Sequence, residues 1–271
     1  VNGPLIDGKQ SASIVCTDRG LQYGDGLFET ISCRDGRARW LQWHLERLRN
    51  GLTRLRLPFD QFEELRSEIQ ALAQGHERCL VKVIVTRGAA TRRGYAPAGD
   101  EKPTRIVSRH PWPATAICAD GFRVGISAVR LSCNPLLAGL KHLNRLEQVL
   151  AQMACVESGL AEVLMLSATE QVISGSMSNV FFANEHGLMT PDLRACGVEG
   201  VMRRVVLQAA ADLGVEVRVR AIAPEELAST REAFFTNVRL GLQSAHWLDG
   251  RQLGSEAYAQ RLRRRIDATP C

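Results

Sequence analysis

Lysine is scarce in this chain: of its 34 basic residues only four are lysine, Lys9, Lys82, Lys102 and Lys141. Aromatic residues are also few, at 6%, and the basic residues are spread along the chain, so a nucleic-acid binder is not expected. No apolar run is long enough to span a bilayer, and the amino terminus lacks a basic segment followed by an apolar core. Neither a membrane span nor a signal peptide is therefore expected. The eight cysteines (Cys16, Cys33, Cys79, Cys118, Cys133, Cys155, Cys196, Cys271) are scattered, with no close pair resembling a zinc or redox motif. Reduced thiols in apolar contexts behave as small hydrophobes, and a cytoplasmic setting is the expectation. Internal repeats and low-complexity segments are lacking too.

What is present fits a globular enzyme. A length of 271 residues with 45% hydrophobic content gives one large domain or two modest ones with a sizeable core. The net charge of +5 suits a small anionic substrate. The closing Arg261-Leu-Arg263-Arg264-Arg265 reads as the solvated face of a last helix.

Hairpins are expected first: Leu5-Ile6 turning at Asp7-Gly8, a strand over Ser13 to Cys16, and Phe28 to Cys33 turning at Asp35-Gly36. Helical spacing follows over His44 to Leu57, with Leu45, Leu48, Leu52 and Leu55 on one side, and over Asp60 to Ala73. Cys79 to Thr86 and Arg105 to Ser108 read as strands around a glycine- and arginine-rich loop, Arg87 to Gly99. The prolines of His110-Pro-Trp-Pro113 place a linker at 111–120, between a smaller domain, 1–110, and a larger one, 121–271. The second half reads as a strand at Phe122 to Ser127, helices at Asn144 to Ser158 and Val201 to Leu213, short strands between them, an apolar strand at Ala233 to Thr236 and a basic helix from Ser255. The fold class is thus α/β (α+β), in two domains.

Lys141 stands out in Asn134-Pro-Leu-Leu-Ala-Gly-Leu-Lys141-His-Leu-Asn144-Arg145-Leu-Glu-Gln-Val-Leu150. In apolar surroundings an ammonium loses hydration, so the neutral amine becomes available as a base or Schiff-base nucleophile, which an arginine cannot offer. By spacing alone, a lysine snorkelling from a helix start is the commoner case. The other glycine-rich signals are equally open. Gly197-Val-Glu-Gly200 before a helix could seat an anion or merely start the helix.

Several motifs together resemble the pyridoxal-phosphate enzymes of fold type IV, the class-IV aminotransferase family. They are Asp18-Arg-Gly-Leu-Gln-Tyr-Gly-Asp-Gly-Leu-Phe-Glu-Thr30, His44-Leu-Glu-Arg47-Leu, Arg92-Arg93-Gly-Tyr95, the Lys141 segment, Ser178-Asn179-Val-Phe, Gly197-Val-Glu-Gly200-Val-Met-Arg203 and Phe235-Thr236-Asn237-Val238. They occur in the family's order and cover most of the chain. The long form of the Lys141 motif resembles the aminodeoxychorismate lyases more than the D-amino-acid or branched-chain transaminases, which remain the alternative. A non-catalytic binding protein is the third reading.

The resemblance implies two α/β domains with pyridoxal 5'-phosphate in the interdomain cleft. It implies that Lys141 carries the cofactor as a Schiff base and serves as general base, and that Arg47, the N–H groups of Val201 and Met202, and Asn237-Val238 hold the phosphate. Tyr23, Phe28, Arg93, Asn144 and Arg145 are the implied substrate residues, and Thr30 an implied proton relay. Arg47 would otherwise be a surface arginine, and Thr30 a β-branched strand residue. The implied substrate is 4-amino-4-deoxychorismate, and the implied assembly a homodimer. One position departs from the pattern: Ser174 stands where the family usually has a glutamate against the pyridine nitrogen. The weaker electron sink this implies suits an aromatising elimination better than transamination.

Overall fold

Alternating apolar and polar residues in the first half build a six-stranded antiparallel sheet in the computed structural model, which describes residues 3–113 and 121–268. Most of the expected linker, 114–120, lies outside the described residues. The elements of this half are β1 (Leu5–Ile6), β2 (Lys9–Gln10), α1 (Arg19–Tyr23), β3 (Gly26–Arg34), β4 (Arg37–Ala38), α2 (Leu41–Arg54), α3 (Phe62–Ala73), β5 (Arg78–Thr86) and β6 (Thr104–Pro111). The strand order is β2-β1-β6-β5-β3-β4. Leu45, Leu48 and Leu52 of α2 and Leu65, Ile69 and Leu72 of α3 are buried, with α2 packed on β3 and α3 on β5 and β6. Each such side chain contributes about 1.5–3 kcal/mol of apolar burial.

Two segments of this half differ from expectation. Ser13 to Cys16 forms no strand and is exposed. The following Asp18-Arg-Gly segment starts a short helix, because Asp18 caps it: its Oδ1 accepts from Gly20 N–H at 2.7 Å. The Asp18 Oδ2 also accepts from the hydroxyls of Thr86 and Thr104, at 2.8 and 2.9 Å. A glycine is needed at 20 because a Cβ there would lie 2.2 Å from Thr86 Cγ2.

The second half contains β7 (Arg123–Leu131), α4 (Leu146–Glu157), β8 (Glu162–Ser167), β9 (Val172–Gly175), β10 (Asn179–Asn184), β11 (Gly187–Pro191), α5 (Val201–Asp212), β12 (Val217–Arg220), β13 (Glu232–Asn237), β14 (Gly241–Ser244), β15 (Trp247–Leu248), β16 (Arg251–Gln252) and α6 (Ala257–Asp267). Two five-stranded sheets result, ordered β12-β11-β10-β13-β14 and β16-β15-β7-β8-β9. β10 and β13 are buried on both faces: Phe181 lies opposite Phe234 with rings stacked at 5.0 Å, while Phe182 and Phe235 fill the other side. β7 runs on to Leu131, past the expected end at Ser127, through a register shift between Ile126 and Arg130.

By contacts the described residues form two units, one of 3–113 with 140–144, the other of 121–139 with 145–268. The Lys141 segment therefore groups with the first unit, out of sequence order. Four of the scattered cysteines come together in pairs: Cys33 lies across from Cys79 in the β3/β5 ladder, and Cys133 Sγ is 3.9 Å from Cys196 Sγ.

Candidate active site

In the first unit, residues 140–144 dock by backbone hydrogen bonds beside the start of β3. Phe28 N–H donates to Lys141 O at 2.9 Å and Leu143 N–H to Gly26 O at 3.1 Å. This places the Lys141 Nζ 4.1 Å from the centre of the Phe28 ring, whose electron-rich face attracts a cation. Thr30 is two residues along β3 from Phe28 and so on the same face of the strand. It pairs with Lys82 of β5, whose Nζ lies 5.7 Å from the Phe28 centroid. Phe28, Thr30 and Lys141 thus lie together, joined by a second amine, Lys82, that sequence reading missed.

The other face of β3 carries Glu29, buried against α2. The Arg47 guanidinium grips it through Nε and Nη2, and His44 Nδ1 lies 2.6 Å from its Oε2. Burial opposes the charge on Glu29, but Arg47 and His44 outweigh it and hold the carboxyl down at about 2. Burial also pushes the pKa of His44 below its usual value, despite Glu29. A neutral His44 donates Nδ1–H to the carboxylate and leaves its buried Nε2 as an acceptor with no hydrogen-bond partner among the described residues. Arg47 is therefore no surface arginine: two of its nitrogens are committed to an internal carboxylate.

Tyr23 closes α1, its ring meeting that of Tyr95 edge-on at 5.4 Å. Arg93 is exposed in the loop leading to Tyr95. Asn144 Nδ2 donates to Gly24 O at 3.3 Å, and Arg145 stands at the N-cap of α4, in the second unit.

In the second unit three turns converge. Asn179 donates Nδ2–H to Val198 O at 2.9 Å and accepts Gly200 N–H at 3.1 Å, fixing the chain that enters α5. Asn237 Oδ1 accepts the N–H groups of Arg239 and Leu240, at 2.9 and 2.8 Å, and its Nδ2 donates to Met177 O at 3.2 Å. Val238 follows in the same turn. Ser174 is buried on β9. The neighbouring strand β8 carries the carboxylate of Glu162, whose Oε1 accepts from Ser176 N–H and Oγ–H and whose Oε2 accepts from Ser178 Oγ–H.

The start of α5 fits a phosphate. Gly200 caps it with no side-chain hydrogen bond, so the N–H groups of Val201 and Met202 point outward from a bare, positive helix end. A Cβ on Gly200 would lie 2.1 Å from Asn179 Oδ1, so only glycine leaves the cradle open. Arg203, in the first turn, adds a cation whose buried Nε has no partner among the described residues. Sequence reading passed over Arg203, although its place three residues after Gly200 was a signal. The amine of Lys141 suits the cofactor's aldehyde, whereas the Ser174 hydroxyl cannot hold a pyridine nitrogen protonated as a carboxylate would.

The chain belongs to the amino-transferase class IV family, whose model matches residues 26–248. It is 34% identical over 239 residues to the aminodeoxychorismate lyase of Vibrio harveyi, covering 88% of each chain. The crystal structure of 4-amino-4-deoxychorismate lyase from Pseudomonas aeruginosa matches with a TM-score of 0.91 and 41% identity, over 98% of each chain. The D-alanine aminotransferase of Bacillus licheniformis is 27% identical over 270 residues, 94% of this chain and 90% of that one.

Proposed function

We propose that the chain is a pyridoxal-phosphate-dependent lyase that converts 4-amino-4-deoxychorismate to 4-aminobenzoate and pyruvate. The observation that carries the reading is the docking of the Lys141 amine at Phe28, with the Thr30 hydroxyl on the same strand face. Lys141 would hold the cofactor's aldehyde carbon, Val201, Met202, Asn237 and Val238 would hold its phosphate, and Arg47 would add positive charge. When bound, the cofactor withdraws electrons from the carbon that bears the substrate amine.

The chain's own residues then handle position and protons. The Lys141 amine takes the proton from C4 of the substrate. The C3–O bond breaks and Thr30 passes a proton to the departing enolpyruvate, which becomes pyruvate as the carbocycle becomes aromatic. No water enters the balance. Aromaticity makes the step strongly downhill, so positioning and proton transfer are what remains to be supplied. Arg93 faces a substrate carboxylate, Tyr23 and Phe28 wall the pocket, and Asn144 and Arg145 flank the lysine. Ser174 would face the pyridine nitrogen, and the elimination would tolerate the weaker electron pull that results.

A homodimer completes the reading, supported by Leu146, Val149, Leu150, Met153 and Val156, which form an exposed apolar stripe along α4. The proposed setting is the cytoplasm; no described helix is long and apolar enough to cross a membrane. Incubation with 4-amino-4-deoxychorismate should release pyruvate and 4-aminobenzoate in equal amounts. Amino-group exchange with a 2-oxo acid, with no 4-aminobenzoate formed, would favour a transaminase instead.

A further inference from the structure

Arg19 opens α1 with a side chain only 3% exposed, and nothing above gives it a role. Its guanidinium is engaged on two sides. Nε donates to Asp25 Oδ2 at 2.9 Å, while Nη1 and Nη2 donate to the consecutive carbonyls of Gly94 and Tyr95, at 3.1 and 2.6 Å. The Arg19 Cζ also lies 4.9 Å from the Tyr23 ring centre. Those carbonyls belong to an exposed loop, directly after Arg92 and Arg93. An arginine serving only the core would have no reason to reach for them.

Asp25 carries the connection inward. Its Oδ2 also accepts from Arg87 Nε, at 2.8 Å, and its Oδ1 from Arg87 Nη2, at 3.1 Å. Arg87 in turn donates to the carbonyls of Arg56 and Leu55, both at 2.9 Å, just past the end of α2. A continuous set of charge-assisted hydrogen bonds thus runs from the loop through Arg19, Asp25 and Arg87 to the helix that carries His44 and Arg47. A planar guanidinium can hold a carboxylate and two carbonyls at fixed angles, and an ammonium cannot reproduce that fork.

We propose that Arg19 is a positioning residue that fixes the Arg92–Tyr95 loop relative to α2, so that Arg93 is set for the substrate's carboxylate. The inference rests on the function proposed above for that loop. Its first test does not: limited trypsin digestion of the holoenzyme, following cleavage after Arg92 and Arg93. Arg19→Gln should raise that cleavage rate roughly tenfold or more, since losing even one charge-assisted hydrogen bond raises the open population by about that factor. Arg19→Lys should fall between, and it serves alone if the glutamine variant does not fold. Tyr95→Ala removes the ring contact but keeps the carbonyl, and should leave cleavage close to wild type.

In steady-state assays the arginine variants should raise KM for 4-amino-4-deoxychorismate with little change in kcat or cofactor content. Unchanged cleavage in a folded Arg19 variant, or faster cleavage with unchanged KM, would overturn the inference. A wild-type protein that releases no pyruvate would defeat the functional reading itself, while the cleavage comparison would still decide whether Arg19 holds the loop.

Discussion

Arg47 takes the buried carboxylate of Glu29 with two prongs of its guanidinium, Nε on Oε1 at 2.7 Å and Nη2 on Oε2 at 2.5 Å. α2 is thereby locked to the strand that carries Phe28 and Thr30. The lock has a pH signature. Glu29 is lowered from 4.5 to about 2, so its stabilisation is complete above 4.5 and is lost as pH falls toward 2. His44, lowered from 6.5 and buried neutral, adds a loss of stability that begins as pH drops below 6.5. Glu29→Gln should cost on the order of 3–5 kcal/mol at pH 7, because it removes the buried carboxylate that the Arg47 guanidinium grips. Denaturant titrations should show the gap to wild type closing below pH 4.5; a gap that does not change with pH would contradict the ion-pair account.

Gly200→Ala places a methyl group 2.1 Å from Asn179 Oδ1 and must displace the side chain that shapes the entry to α5. Cofactor affinity should fall by roughly tenfold or more, as the helix N–H groups lose their alignment on phosphate. Equilibrium dialysis against pyridoxal phosphate measures this directly, and unchanged affinity would remove the α5 cradle from the site.

Ser174→Glu would restore a carboxylate at a buried position on β9. The expected outcome is a shifted absorbance of the bound cofactor and a gain in slow amino-group exchange with 2-oxo acids. With neither change, Ser174 does not meet the pyridine nitrogen.

Thr30→Val keeps the β-branched shape on β3 and removes only the hydroxyl. Turnover should drop by roughly 10²–10⁴-fold, the range typical of a lost general acid–base group, with cofactor content unchanged. Turnover near wild type would take Thr30 out of the proton path.

The parts that were legible in the sequence are those with local patterns. α2 and α3 follow from leucines at helical spacing, and β13 from a continuous apolar run. α1 was hidden because Gly20 and Gly24 look like turn residues, whereas close packing against Thr86 is what demands Gly20. β14, β15 and β16 have at most four residues each, too few for alternation to register. The candidate site is traceable in the sequence where a motif is contiguous, as around Lys141 and Gly200. Glu29, Lys82 and Glu162 were missed because their partners come from strand register or from distant elements. The three-residue spacing of His44 and Arg47 on one face of α2 was the available hint that something charged lay opposite.

Lys141 is proposed as the amine that carries the cofactor. Lys82 lies near the same ring as Lys141, at 5.7 Å against 4.1 Å, so the two are distinguishable candidates. Borohydride reduction of the holoenzyme followed by peptide mapping should place the pyridoxyl label on Lys141 alone; a label on Lys82, or none at all, would contradict the account.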